Sequence, residues 1–126
     1  MIINGKEYKF FYSVRARLAI AKTLPGHNMA ELGKIFEKGD QVESLALIQT
    51  MAVEMNRAYL LREAQENGTT FIPEEVLDKN LIFEMSSEEE ERLEDELLAA
   101  FKGGNKTEIQ TEAAGKKTKK EPTKKS

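Results

Sequence analysis

The sequence predicts a mainly α protein, with an N-terminal β-hairpin packed on a small domain of about five helices and a disordered C-terminal tail. Near the N-terminus, an Asn-Gly dipeptide separates two apolar or aromatic runs. Beyond it, apolar residues recur at steps of three and four behind capping residues. The final stretch GKKTKKEPTKKS has no apolar side chain to offset its ordering entropy. We therefore place the helical domain at 1–102 and the tail at 103–126.

The hairpin is expected over residues 1–11, with Asn4-Gly5 as a type I′ turn. A two-residue loop gives the following register: Ile3 with Lys6, Ile2 with Glu7, and Met1 with Tyr8. Strand alternation assigns one face to Met1, Ile3, Tyr8 and Phe10, and the other to Ile2 and Phe11. A lone two-stranded hairpin is marginal in water, so it must pack on helices or extend a partner's sheet.

Ser13 predicts the N-cap of a first helix, from Val14 to about Leu24, which Pro25-Gly26 ends. The single histidine, His27, follows this stop. It could be an acid/base group or a metal ligand, but no Cys and no second His could complete a metal site. We interpret it as an exposed loop residue.

Two capping-box spacings predict the next helices. Asn28 with Glu31 opens a short helix through about residue 37, and Asp40 with Glu43 opens a long one from Gln41 to about residue 66. The long helix has no Gly or Pro until Asn67-Gly68, so it is the most regular element of the sequence.

The long helix carries one apolar stripe at alternating steps of three and four: Leu45, Ile48, Ala52, Met55 and Tyr59. Leu47, Met51 and Leu61 lie off that stripe, which makes the apolar face wide and the helix central to the core. Part of this face could instead receive a partner's helix.

Pro73-Glu74-Glu75 predicts the start of a short helix to about Lys79. Ser86 with Glu89 is a further capping box, for a last helix to about Lys102 that Gly103-Gly104 ends. One side of that helix is acidic, and the other carries Leu93, Leu97, Ala100 and Phe101.

Several function classes are excluded by what the sequence lacks. There is no Cys, no GxSxG elbow around any Ser and no phosphate-binding loop, so we expect no enzyme, no catalytic residue, no cofactor and no small-molecule substrate. No apolar run is long enough to span a bilayer, so we expect an intracellular, soluble protein without a membrane role.

The charges are divided between the two parts of the chain. Residues 103–126 carry seven Lys and three Glu, or +4, so the remainder of a chain of net −3 carries −7. An acidic body repels a phosphate backbone, and we do not expect it to bind nucleic acid. The run Glu88 to Glu91 is interpreted as a solvated helix face rather than a metal site, because consecutive helical residues point about 100° apart.

The N-terminal pattern resembles the tail assembly chaperones of long-tailed, siphovirus-type bacteriophages. The matching residues are Gly5, Lys6, Glu7, Tyr8, Phe10, Arg15 and Ala16. A long helix, a T-x-x-P-E-E helix start and an acidic last helix follow in a similar layout, so the resemblance covers residues 1–102.

This resemblance implies a protein of virion assembly. It would bind the tape measure protein in the host cytoplasm, help recruit tail tube subunits during tail morphogenesis and be absent from the mature virion. The partner-binding residues expected are Tyr8, Phe10, Phe11, Leu47 and Met51. A free hairpin edge also allows a homo-oligomer. The alternative is a small regulatory protein that binds nucleic acid weakly through its basic tail.

Overall fold

The computed structural model describes residues 1–113, and their side chains as far as 103. Its strands and helices, in chain order, are β1 (Ile2–Ile3), β2 (Lys6–Glu7), α1 (Val14–Ala21), α2 (Ala30–Lys38), α3 (Gln41–Asn67), α4 (Asn80–Phe83) and α5 (Ser87–Ala113). Short 3-10 turns occupy Pro25–His27 and Pro73–Glu75. The predicted mainly α fold with an N-terminal hairpin and about five helices is confirmed.

The hairpin has the predicted turn and register. Asn4 and Gly5 both have positive φ, 53° and 82°, as a type I′ turn requires. The ladder is shorter than residues 1–11, because the chain leaves it after Glu7 to run along α3. Ile3 and Tyr8 are buried, as the predicted facing requires, while Ile2 is exposed.

The amino group of Met1 ties the hairpin to α5. It donates a hydrogen bond to the carbonyl oxygen of Tyr8 at 2.7 Å and forms ion pairs with Glu7 at 2.5 Å and Glu96 at 3.3 Å. Burial by itself lowers the pKa of this amine, but the two carboxylates outweigh that effect and raise the pKa above its usual 8.0.

Helix α1 begins as predicted and ends three residues early. The Ser13 hydroxyl accepts a hydrogen bond from the Ala16 N–H at 3.1 Å, which confirms the N-cap. Leu24 is extended, with φ −95° and ψ 152°, because the ring of the following Pro25 disfavours helical backbone at the residue before it.

Only one of the two neighbouring capping boxes forms. At α3, Asp40 accepts from the Glu43 N–H at 2.8 Å and Glu43 accepts from the Asp40 N–H at 3.4 Å, which confirms that prediction. At α2 the prediction is wrong: Asn28 accepts from the Ala30 N–H two residues on, and the helix begins without a side-chain cap.

Helix α3 is the centre of the fold and packs against α1, α2 and α5. Its bounds match the prediction to one residue, and Gly68 closes it in the left-handed conformation with φ 67°. Ile48, Ala52 and Met55 of the stripe are buried, and so are the off-stripe residues Leu47 and Met51. The apolar face is therefore wide and serves as core.

The segment after Pro73 differs from the predicted helix to Lys79. A 3-10 turn ends at Glu75, and Val76 is extended with φ −67° and ψ 142°. This extension turns Leu77 into the core, where 2% of it is exposed and its N–H bonds to the Asn56 side chain. The short helix α4 follows, at residues that carried no helix prediction.

Helix α5 starts as predicted and runs further. Ser86 and Glu89 form a reciprocal capping box, at 2.9 and 3.2 Å. The expected stop at Gly103-Gly104 is wrong, because Gly103 stays outside the left-handed region and α5 continues to Ala113. The first residues of the predicted tail are therefore part of α5 as far as Ala113, and residues 114–126 lie outside the described residues.

Candidate functional site

Three of the five side chains predicted to contact a partner lie in the hydrophobic core. Tyr8 is 7% exposed, Leu47 4% and Met51 0%. They are buried because α3 is covered on more than one side, so its off-stripe residues face neighbouring helices. Buried side chains offer no surface to a partner. Phe10 and Phe11, both half-buried, remain as candidates.

The segment that carries these two aromatic residues is fixed to α3 by its backbone. The Phe11 N–H donates to the carbonyl oxygen of Met55 at 3.0 Å. The side-chain amide of Asn56 donates to the carbonyl oxygen of Lys9 at 2.9 Å. These bonds place Phe11 at a defined position beside the second half of α3, so its ring is part of a built surface.

Asn56 is the buried polar residue that holds this region together. It is 1% exposed, and besides donating to Lys9 it accepts from the Leu77 N–H at 2.8 Å. One side chain thus joins the chain leaving the hairpin, helix α3 and the segment before α4. A buried amide is stable only when its hydrogen bonds are made, and here the bonds position the surface around Phe11.

An open groove lies beside Phe11, with a volume of about 530 Å³. It is formed by residues 11–15, the second half of α3 and residues 69–71, and we call it the Phe11 groove. Its lining consists of Phe11, Ser13, Arg15, Ala58, Leu61, Arg62, Ala64, Gln65, Thr69 and Phe71. Phe11, Leu61 and Phe71 are half-buried, so each presents part of its apolar surface to solvent.

The charged side chains of this groove are cationic. The guanidinium carbon of Arg62 lies 4.6 Å from the ring centroid of Phe11, which is a cation–π contact. The same side chain pairs with Glu66, with Nε 3.0 Å from Oε2. Arg15 is exposed, and no carboxylate is among the described side chains that line the groove.

Two other grooves among the described residues differ in charge. One, of about 200 Å³, mixes Lys6 and Lys9 with three glutamates. The other, of about 380 Å³ beside Leu24 and Leu47, has Glu43 as its charged lining residue. The Phe11 groove is larger than both and differs in combining apolar surface with arginines alone.

The acidic start of α5 behaves as a solvated helix face. Hydrogen bonds from Ser86 hold the pKa of Glu89 below its usual value. Partial burial, and then the neighbouring charges of Glu90, Asp95 and Glu91, raise the pKa of Glu94. Among the described side chains, no group of three or more His, Asp or Glu is placed to hold a metal ion.

His27 lies exposed in the 3-10 turn at Pro25–His27, with φ 54°. This agrees with its interpretation as a loop residue at the surface. No metal-binding group is found around it in the described part of the chain.

No protein family, curated protein or solved structure matches the chain. No helix in the described part of the chain is long and apolar enough to cross a membrane.

The sequence singles out Phe11, Ser13 and Arg15 of the groove, and it places Leu61 off the stripe on the wide apolar face of α3. It singles out neither Arg62 nor Phe71. Their proximity to Phe11 depends on how α3 and the following loop pack, which no local spacing encodes. The one local signal is the spacing of Arg62 and Glu66. Residues four apart share a helix face, so this spacing predicts their ion pair.

Proposed function

We propose that the chain is a tail assembly chaperone of a long-tailed bacteriophage. In the bacterial cytoplasm it binds the tape measure protein, helps recruit tail tube subunits and is left out of the finished virion. The observation that carries the proposal is the Phe11 groove. It is an open apolar surface built in part by the N-terminal segment that resembles this family.

The structural roles of the resembling residues support the proposal. Gly5 makes the hairpin turn, Tyr8 anchors the hairpin in the core and Phe10 packs against that core. Arg15 lines the Phe11 groove. The shared pattern thus includes residues that fold the N-terminal segment and one that reaches the candidate surface.

The groove suits the recognition of a helix. A helix binds by laying its apolar face on an apolar surface, and the half-buried side chains of Phe11, Leu61 and Phe71 provide such a surface. The tape measure protein is long and helical in this family, so many copies of a small chaperone could cover it.

Co-purification with the tape measure protein tests the proposal. The wild-type chain and two variants on one helix, Leu61→Glu and Val42→Glu, are co-expressed with the coding region of the tape measure protein. Leu61 lies in the groove, whereas Val42, at the other end of α3, is 78% exposed. Both variants add one carboxylate, so they are matched in charge.

We expect the wild type and Val42→Glu to co-purify with the tape measure protein and Leu61→Glu to lose it. Circular dichroism checks that both variants fold. Failure of the wild type to bind at micromolar concentration would overturn the proposal. Binding of DNA instead, abolished by deletion of residues 105–126, would favour the regulatory protein that acts through its basic tail.

A further inference from the structure

We infer that the Phe11 groove selects an acidic amphipathic helix. Apolar side chains of that helix would cover Phe11, Leu61 and Phe71, and its carboxylates would pair with Arg15 and Arg62. The inference rests on the proposed function only where it assigns this helix to the tape measure protein. The preference for an acidic amphipathic helix follows from the apolar and cationic side chains that line the groove.

Charge complementarity decides which kind of helix fits. Residues 1–102 carry a net −7, yet the described side chains that line the groove include two arginines and no carboxylate. A basic helix would be attracted to the acidic body at large but repelled where it docks. An acidic helix is repelled by the acidic body and attracted by the arginines of the groove. The groove therefore determines where such a helix binds.

The volume fits a few side chains of one helix face. About 530 Å³ lies within the range of roughly 300–1,000 Å³ that ordinary ligand sites span. The lining also includes Ala58 and Ala64, which are buried, so the apolar contact with a partner falls on Phe11, Leu61 and Phe71.

Arg62 already holds a carboxylate of its own chain. It pairs with Glu66 at 3.0 Å while its guanidinium covers the Phe11 ring, and both side chains of the pair are more than half exposed. Such an exposed pair is weak and easily exchanged. A carboxylate of the partner helix would take the place of Glu66, and the guanidinium would remain on the ring. Glu66 therefore competes with the partner.

Two synthetic peptides test the inference on the full chain. Both form helices with the same apolar positions, and one carries Glu where the other carries Lys. Binding is measured by fluorescence anisotropy, and amide chemical shifts locate the site. We expect the Glu peptide to bind at residues 11–15, 58–65 and 69–71. Equal binding of the Lys peptide, or shifts elsewhere, would overturn the inference.

Removal of the two groove charges gives the first quantitative check. The double variant Arg15→Gln/Arg62→Gln should weaken binding of the Glu peptide about ten-fold, because each exposed charge pair contributes two- to five-fold. The control Lys22→Gln/Lys38→Gln removes the same charge outside the groove lining and should change the affinity less than about two-fold. An equal effect of both would mean that only net charge matters.

Release of Arg62 gives a check of opposite sign. Glu66→Gln should tighten binding of the Glu peptide about two- to three-fold, since the competing carboxylate is gone. The control Glu63→Gln removes one negative charge about one helical turn before Glu66. The Glu63 side chain accepts a hydrogen bond from the Tyr59 hydroxyl, and Arg62 stays paired with Glu66 in this variant. It should tighten binding less. Equal tightening by both would contradict competition by Glu66.

Failure of this inference can be told apart from failure of the proposed function. If the tape measure protein co-purifies but the Glu and Lys peptides bind equally, the selection of an acidic helix is wrong and the proposed function stands. If the Glu peptide binds the groove but the tape measure protein does not co-purify, the proposed function fails and the groove chemistry stands. Self-association that the arginine double variant abolishes would show that a second copy is the occupant, and would overturn the commitment to a separate partner.

Discussion

Two stretches of helix α3 differ in what covers them. The middle stretch, with Met51 and Met55, is buried, and its polar residue Asn56 makes hydrogen bonds to two other segments. The C-terminal stretch, with Leu61 and Arg62, is only partly covered, by Phe11 and Phe71. The middle stretch holds the fold together, and the C-terminal stretch leaves apolar surface open to solvent.

This difference shows where stability and binding can be separated. Substitutions in the middle stretch remove contacts that the folded state needs, so they act on the free energy of unfolding. Substitutions in the C-terminal stretch remove contacts that a partner would make, so they act on binding and little on folding.

Met51→Ala should lower the free energy of unfolding by about 2–5 kcal/mol, since it leaves a cavity under a side chain that is 0% exposed. Leu61→Ala, in the partly covered C-terminal stretch of the same helix, should cost less than about 1 kcal/mol. Urea unfolding followed by circular dichroism measures both. Similar losses for the two variants would contradict the division between the two stretches.

Asn56→Ala should cost about 2–3 kcal/mol, because the Leu77 N–H and the Lys9 carbonyl oxygen lose their partner in a buried place. Asn67→Ala, at the exposed end of α3, is the matched control and should stay within about 0.5 kcal/mol. Thermal unfolding measures the pair. An Asn56 variant as stable as the control would mean that this amide does not hold the segments together.

Asp40→Ala should cost about 1 kcal/mol, because it removes a formed capping box. Asn28→Ala has the same spacing to a glutamate in the sequence but only a bond to Ala30, and should cost about half as much or less. Chemical denaturation of both variants compares them. A larger loss at Asn28 would reverse the assignment of the two caps.

Glu94→Gln should raise the melting temperature slightly at neutral pH. The pKa of Glu94 is raised in the folded state, so its charged form is disfavoured there and the wild type gains stability from this group only as the pH falls toward 4.5. The advantage of the variant should therefore shrink as the pH falls through the raised pKa.

Glu89 provides the opposite sign on the same helix. Its pKa is lowered, so the stability that it contributes is present above pH 4.5 and is lost as the pH falls through the lowered value. Glu89→Gln should lower the melting temperature at neutral pH. Parallel pH profiles for the two variants would show that the carboxylates of α5 share one environment.

Local signals in the sequence were enough for the hairpin register, the Ser13 and Asp40 caps and the extent of α3. Each of these depends on residues within four positions of one another, such as Asp40 and Glu43. The segment after Pro73 could not be predicted in this way, because its course is decided by burial of Leu77 and by the distant Asn56.

The candidate site was predictable only in part, for the same reason. The alternation around Tyr8 placed Phe11 on the other face of the hairpin from the core residues. What lies next to Phe11 depends on how the second half of α3 packs, just as the burial of Leu47 and Met51 depends on how its first half packs. The apolar stripe of a single helix does not predict which sides of that helix a neighbouring element will cover.

Hydrogen exchange of the chain with and without the tape measure protein tests whether this partner binds at the Phe11 groove. We expect slower amide exchange at residues 11–15, 58–65 and 69–71, which form the groove, with little change at the start of α5. Slower exchange confined to the hairpin edge or the acidic face of α5, or no change at saturating partner, would contradict it.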